Sequence, residues 1–351
     1  MRPVALVVPG SLDTRTGGYI YDRRLVEGLR QRSRRVDVVE IDGGFPYPTQ
    51  AALDEAARAF AAIHAGTIVM VDSLALGAMP DLITTEASRV CIVALVHLPL
   101  SATVGLDGES AARFADRERR ALGVAELIIV TGHAALPLLA DFNLAPGRVI
   151  VVEPGTDPAP LSQGSTGERL ELLSVATLNP GKGHEMLLEA LSAVPHRAWH
   201  LTCAGSVTRH PLTAKRVRAA VTRLGLDDRV SLVGDLDGPA LEECYARADV
   251  VALATEQETY GMAVAEALAH GLPVVATMTG AIPELVGKEA GLLVPVGDVR
   301  ALVQALSRML GDADLRARCA AGARRVRDRL PTWEDASDRA AAAFDALELH
   351  G

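Results

Sequence analysis

The run Glu258-Thr-Tyr-Gly-Met-Ala-Val-Ala-Glu266-Ala-Leu-Ala-His-Gly-Leu-Pro-Val-Val-Ala276 follows an apolar stretch, Val250-Val-Ala-Leu-Ala254. Consecutive apolar residues of this kind predict a parallel strand buried on both faces. Gly261 then breaks the chain, and Met262 to His270 has the Ala- and Leu-rich pattern of a packed helix. Gly271 suits a helix C′ position, and Pro273-Val-Val-Ala276 starts the next strand. Glu258 therefore falls in a loop at a strand's carboxyl end, where open α/β sheets bind ligands. Glu266 falls on the helix, about 6 Å along its axis from Met262. Between them lies a helix N-terminus, whose free N–H groups suit an anion. A carboxylate, an anion seat and a second carboxylate would suit a sugar, a diphosphate and a ribose diol in that order. Glutamates taken singly are usually solvated charges. Glu266 stands apart because Val264, Ala265, Ala267 and Leu268 flank it.

The same strand–helix alternation runs through the chain. It starts with Val4 to Val8 and continues to a strand at Val149 to Val152, with a helix expected over Ala134 to Phe142. That pattern predicts a parallel sheet with helices on both faces. The Pro-, Gly- and Ser-rich segment from Glu153 to Gly167 reads as a linker. From Leu170 the pattern restarts and gives a second sheet. The expected domains are 1–155, 156–330 and a final helix over 331–351 that packs on the first domain. Thr332 and Asp335 have the spacing of a capping box at its start.

Composition narrows the function. The 351 residues are 49% hydrophobic and 23% charged, enough for two packed domains. A net charge of −9 and 3% aromatic residues count against nucleic acid as a partner. Cys91, Cys203, Cys244 and Cys319 have no metal-binding spacing and read as core thiols in a reducing, cytoplasmic compartment. The first ten residues read as a strand and not a signal peptide, and no apolar run is long enough for a membrane span.

Several further residues could carry chemistry. Gly17-Gly18 follows the first strand and opens a helix, which lets backbone approach a ligand. Tyr21 and Arg23 beside it face either ligand or solvent. His97 ends the strand Val93-Ala-Leu-Val96; such a histidine is often structural, but strand carboxyl ends bind ligands. Lys182 lies between Gly181 and Gly183 at the next turn into a helix, placed as a point charge for phosphate. It is one of only three lysines, with Lys215 and Lys288. Gly181-x-Gly183 is a partial dinucleotide fingerprint, but Met186 replaces its third glycine, which argues against NAD. Asp235 and Asp237 resemble a metal-binding D-x-D pair, yet their Gly- and Pro-rich setting reads as a turn before a helix. Arg113, Arg117, Arg119 and Arg120 are interleaved with Asp116 and Glu118, which favours a solvated face over a membrane contact.

Glu258 and Glu266, with the trailing Gly271-Leu-Pro-Val-Val-Ala276, closely resemble the E-x7-E signature of family-4 retaining glycosyltransferases of GT-B fold. Thr177-Leu-Asn-Pro-Gly-Lys182-Gly is similar to that family's Arg-Leu-x-x-x-Lys-Gly segment, with Thr177 in the arginine's place. Gly280-Ala-Ile-Pro-Glu284 is similar to its Gly-Gly-x-x-Glu turn, with Ala281 for the second glycine. The resemblance is strong in the second domain and weak in the first. It implies an α/β GT-B architecture: two doubly wound Rossmann-like domains facing a central cleft, the last helix crossing back to the first. It implies transfer of a sugar from a nucleoside diphosphate sugar to an acceptor hydroxyl, with retention. The implied candidate catalytic residues are Glu258, His97 and Lys182. The implied donor-binding residues are Gly17, Gly18, Thr177, Lys182, Leu236, Tyr260, Gly261, Met262 and Glu266. Among these, Glu266 would hold the ribose, the Tyr260–Met262 amides and Lys182 the diphosphate, and Glu258 the sugar. His97 would touch the transferred sugar and backbone near Leu236 the base. No metal or other cofactor is expected, and the acceptor is a small molecule, glycan or lipid. The rival readings are a GT-B sugar-nucleotide epimerase and a non-catalytic nucleotide-sugar-binding protein.

Overall fold

The computed structural model describes residues 1–350. The chain divides into two compact units, Met1–Gly155 together with the segment from Pro331 onward, and Thr156–Leu330. In the first unit the elements run β1 (Val4–Pro9), α1 (Gly17–Gln31), β2 (Val36–Ile41), α2 (Gln50–Ala62), β3 (Ile68–Asp72), α3 (Ser73–Leu76), α4 (Pro80–Glu86), β4 (Cys91–Val96), α5 (Gly108–Val124), β5 (Leu127–Val130) and β6 (Val149–Val151). The sheet is six-stranded, in the order β2-β1-β3-β4-β5-β6, and every recorded pairing is parallel. The continuous apolar strands are buried on both faces. Val69 and Val71 pack into one core with Phe60 and Ile83, while Ile68 and Met70 pack into another with Leu25 and Leu29. This is the period-two alternation of a sheet covered on both sides.

The second unit runs β7 (Leu170–Val175), α6 (His184–Ala193), β8 (Trp199–Ala204), α7 (Pro211–Arg223), β9 (Val230–Gly234), α8 (Gly238–Arg247), β10 (Val250–Leu253), α9 (Met262–Ala269), β11 (Val274–Thr277), α10 (Ile282–Val286), β12 (Gly291–Val294), α11 (Val299–Gly311) and α12 (Ala313–Arg327). Its strand order is β12-β11-β10-β7-β8-β9, again with parallel pairings. Read from the other edge this is the 3-2-1-4-5-6 order of the doubly wound fold, whose switch point lies between β7 and β10. Val250 and Ala252 face one core and Val251 and Leu253 the other, so the apolar run is a central strand.

The chain then returns to the first unit as α13 (Trp333–His350). Ala336, Ala340 and Phe344 are buried in the core that also holds Tyr21 and Leu25 of α1. Its start is a capping box: Thr332 N–H donates to Asp335 Oδ2 at 3.0 Å, and Asp335 N–H donates to Thr332 Oγ1 at 3.1 Å.

One expected element differs. Residues 134–142 form two short 3-10 turns, His133–Ala135 and Pro137–Phe142, in place of an α-helix. Pro137 has no N–H to give a longer helix, and Asn143 turns left-handed at φ 53° to end the segment. The arginine-rich face of α5 is exposed, with Arg120 paired to Asp81. Glu118 within it is not solvated: its carboxylate turns inward and accepts from the N–H groups of Leu100 and Ser101.

A candidate donor site in the second unit

The site grows from two loops at the switch point of the second sheet. The loop after β7 reaches Gly181, Lys182 and Gly183 before α6; the loop after β10 runs from Ala254 to Gly261 before α9. They are tied together. Glu256 N–H donates to Gly181 O at 2.7 Å, and Thr255 Oγ1 donates to the same oxygen at 3.0 Å. Gly183 sits at φ 66°, and a Cβ there would stand 1.9 Å from Ala254 O. Only glycine allows both the left-handed turn and this approach.

The approach brings Lys182 Nζ onto Glu258 Oε1 as a direct ion pair, with both side chains about a quarter exposed. Residues 76 apart in sequence thus share one position beside the opening of α9. Gly261, at φ 98°, starts that helix, and no side chain caps it. Val264 and Ala265 N–H bond back to Gly261 O, so the Met262 and Ala263 amides lie ahead of the helix's own hydrogen bonds. The open amides and the helix dipole stand at this terminus, and the loop leading into it carries Glu258 with Lys182 paired to it; amides and a lysine of this kind are chemistry for an anion of the phosphate type.

One turn on, Glu266 is half-buried and its Oε2 accepts from Tyr245 Oη at 2.9 Å. Burial pushes its carboxyl up to about 7, against the Tyr245 hydrogen bond and with help from the Asp157 charge. Tyr245 on α8 stacks on His270 at 4.5 Å, and His270 Nδ1 donates to Pro160 O at 3.0 Å. This chain fixes the face Glu266 presents. Nothing in the sequence reading picked out Tyr245, because its contact to Glu266 comes from a neighbouring helix.

The remaining second-unit residues divide. The Tyr260 side chain is core, packed with Ala265 and Ala281, so only its backbone is available to a ligand. Met262 and Leu236 are half-buried at the edges of the cores. Thr177 O accepts from Asn179 N–H at 2.8 Å, and its short side chain brings no cation to the loop. Beneath that loop His184 is buried, and burial together with the Lys182 charge pulls its imidazole down to about 4, so it is neutral. Asp237 is the N-cap of α8, accepting from Ala240 N–H at 2.9 Å, and Asp235 is exposed.

In the first unit, Gly17 and Gly18 open α1, and a Cβ on Gly18 would lie 3.2 Å from His97 Cδ2. His97 lies just past β4, and its Nε2 is 2.8 Å from Asp22 Oδ1 and 3.5 Å from Asp72 Oδ2. Tyr21 is a core residue, 1% exposed, and not a surface one; it donates to Val152 O and meets the His97 ring edge-on at 5.4 Å. Arg23 bonds Leu12 O at 3.3 Å. Asp22 and Asp72 were invisible as partners in the sequence, since each comes from a different strand–helix unit.

Residues 169–312 match the family model described as glycosyl transferases, group 1. The matched segment, most of the second unit, is similar to group 1 glycosyl transferases. The D-inositol 3-phosphate glycosyltransferase of Xylanimonas cellulosilytica is 31% identical over 236 residues, which are 62% of this chain and 55% of that protein. The MMP alpha-(1->4)-mannosyltransferase of Mycolicibacterium hassiacum is 27% identical over 319 residues, 86% of this chain and 76% of that protein. The chain thus spans between about half and three quarters of the length of these relatives. Among solved structures, sucrose-phosphate synthase from Thermosynechococcus elongatus superposes with a TM-score of 0.86 at 21% identity, covering 100% of both chains. HepE of Anabaena, solved in complex with UDP and glucose, gives 0.76 at 17% identity over 99% of this chain and 100% of its own. The fold is the GT-B fold. The matched segment holds Lys182, Glu258 and Glu266, so the site described lies inside that segment. No helix among the described residues is long and apolar enough to cross a membrane.

Proposed function

We propose that the chain moves a sugar from a nucleoside diphosphate sugar to an acceptor hydroxyl, with retention and without a metal ion. The observation that carries this is the meeting of Lys182 and Glu258 beside the uncapped start of α9, with Glu266 one turn further on. In this reading Glu266 accepts from the ribose hydroxyls. The Gly261 and Met262 amides, the Tyr260 backbone and Lys182 hold the diphosphate, and Glu258 bonds the sugar. The backbone at Leu236 flanks the base, and the Gly17-Gly18 turn approaches donor phosphate. His97 touches the transferred sugar. Thr177 leaves Lys182 as the cation of the matched motif. A diphosphate leaving group gains negative charge as the glycosidic bond breaks, so a lysine and oriented amides help most at that point. The leaving phosphate takes the acceptor's proton in front-face attack. The acceptor is a small molecule, glycan or lipid. The four free cysteines fit a reducing, cytoplasmic setting.

UDP bound by HepE supports a uridine nucleotide as the first to try. A thermal-shift panel of UDP, GDP, ADP and dTDP comes first, since ligand at about a hundred times its Kd adds roughly 2.7 kcal/mol. The matching nucleotide sugars are then assayed for transfer with excess EDTA, and the product anomer is assigned by proton NMR. Retention with EDTA present is expected. Inversion, or activity that EDTA abolishes and Mn²⁺ restores, rules the reading out.

A further inference from the structure

The proposed transfer gives His97 a place on the sugar but gives no role to the two carboxylates that enclose it in the first unit. Asp72 ends β3, His97 follows β4, and Asp22 reaches in from α1; one side-chain atom from each lies within 4.8 Å of the others. A single ring nitrogen, Nε2, faces both carboxylates, at 2.8 Å from Asp22 Oδ1 and 3.5 Å from Asp72 Oδ2. An ionised carboxylate only accepts, so Nε2 carries the hydrogen. Asp22 and Asp72 are 1% and 3% exposed, so water screens their charges poorly. Asp22 Oδ2 is buried with no hydrogen-bond partner, and Asp72 Oδ1 accepts from Leu74 N–H at 2.8 Å. Tyr21 also faces the ring, but its phenol is kept neutral by burial and then by the Asp22 charge, and it donates to Val152 O. Above about pH 7, where Asp72 is ionised as well, two buried negative charges therefore converge on one imidazole.

We propose that Asp22 and Asp72 are positioning residues that hold His97 as an imidazolium in the free protein. With Nε2 directed at the carboxylates, Nδ1 is the ring nitrogen left for a ligand. As an imidazolium His97 offers an N–H there, a charged donor for a ligand oxygen such as a sugar hydroxyl. It cannot act as a base, because it has no lone pair to receive a proton. Taking the proton away would leave the carboxylates facing a neutral ring, which burial makes costly. The balance of charges agrees. Burial pulls His97 down, but the Asp22 charge and hydrogen bond and the Asp72 charge outweigh it and raise the group to about 9. Burial and the Asp22 charge push Asp72 up to about 7. Only the use of Nδ1 on a sugar rests on the proposed transfer reaction; the protonation state does not.

The test is ¹⁵N-histidine NMR of the whole chain, with His97→Gln to assign the ring signals. Both ring nitrogens of His97 should carry hydrogen at pH 7.5, and the second proton should leave only toward pH 9. Asp22→Asn and Asp72→Asn should each move that loss down by about one pH unit or more, since one of two charges is gone. In wild type the alkaline limb of the kcat/KM profile should follow His97. It should move down in Asp22→Asn and return with Asp22→Glu, a shift that a purely structural role would not produce. A singly protonated ring at pH 7.5 in wild type, or both asparagine variants titrating as wild type, overturns the proposal. Because the NMR needs no substrate, failure to find transfer would sink the functional reading and leave this one standing.

Discussion

Glu266 shows how burial changes what one residue can do. Its ordinary carboxyl value of 4.5 is raised to about 7, by burial first and by the Asp157 charge last, against the Tyr245 hydrogen bond. Between those values the folded state binds more protons than the unfolded one, so stability falls as pH rises through this window. The loss is complete above about pH 7 and absent below about 4.5. Glu266→Gln keeps a neutral acceptor for Tyr245. It should therefore melt above wild type at pH 8, with the gap closing as pH falls below 4.5, in calorimetric scans without nucleotide. A variant less stable than wild type at pH 8 would show that the ionised Glu266 carboxylate is stabilising in the folded protein and overturn this reading. At pH 8 the same variant should bind nucleoside diphosphate more weakly, because one oxygen and one NH₂ replace two acceptor oxygens for the ribose.

At the scale of elements, the loops after β7 and β10 act as one unit, and Lys182 and Glu258 share it. Before diphosphate binds, Lys182 is held by Glu258, so a phosphate must compete with a carboxylate. Glu258→Gln removes that competitor. A partly exposed pair is worth up to about 1 kcal/mol, so bare diphosphate should bind up to about fivefold tighter to the variant. Turnover should fall, because the sugar loses its carboxylate. Titration calorimetry and single-turnover rates check the two halves; weaker diphosphate binding would show that Glu258 orients Lys182 for the phosphate and does not compete with it. The join between the loops depends on Gly183. Gly183→Ala meets a left-handed φ of 66° and a contact of 1.9 Å to Ala254 O. The strained conformation alone costs about 1–2 kcal/mol, and the clash adds to it. Urea unfolding should show a loss of about 2 kcal/mol or more in the second unit.

On the scale of the whole molecule, the last helix belongs to the first unit although the chain reaches it through the second. Its anchor is Phe344, 0% exposed, with Ala336 and Ala340 on the same face. Phe344→Ala should cost about 3–5 kcal/mol. Hydrogen exchange is expected to localise the effect, with β1–β6 amides losing protection and β7–β12 amides keeping theirs. Loss spread equally over both sheets would show that the helix's packing stabilises more than its own unit.

The two parallel sheets were legible because consecutive apolar runs such as Val250–Leu253 can be satisfied only by burial on both faces. Gly261 and Gly271 could be read because each stands where a helix begins or ends at positive φ. Residues 134–142 have the apolar spacing of a helix but fold as 3-10 turns, because Pro137 inside the run lacks the N–H a helix would need there. Lys182, Glu258 and Glu266 could be singled out from spacing and from a family likeness, but not the relations among them. That Lys182 pairs with Glu258, that Tyr245 holds Glu266, and that Asp22 and Asp72 enclose His97 are products of strand order. Strand order brings together residues far apart in the chain, and side-chain charge responds to what is within a few ångströms. The sequence by itself determined which segments become strands and helices and which residue types stand at their ends. Only the tertiary structure decided which of those ends meet, and with that which charges and hydrogen bonds face Glu266 and His97.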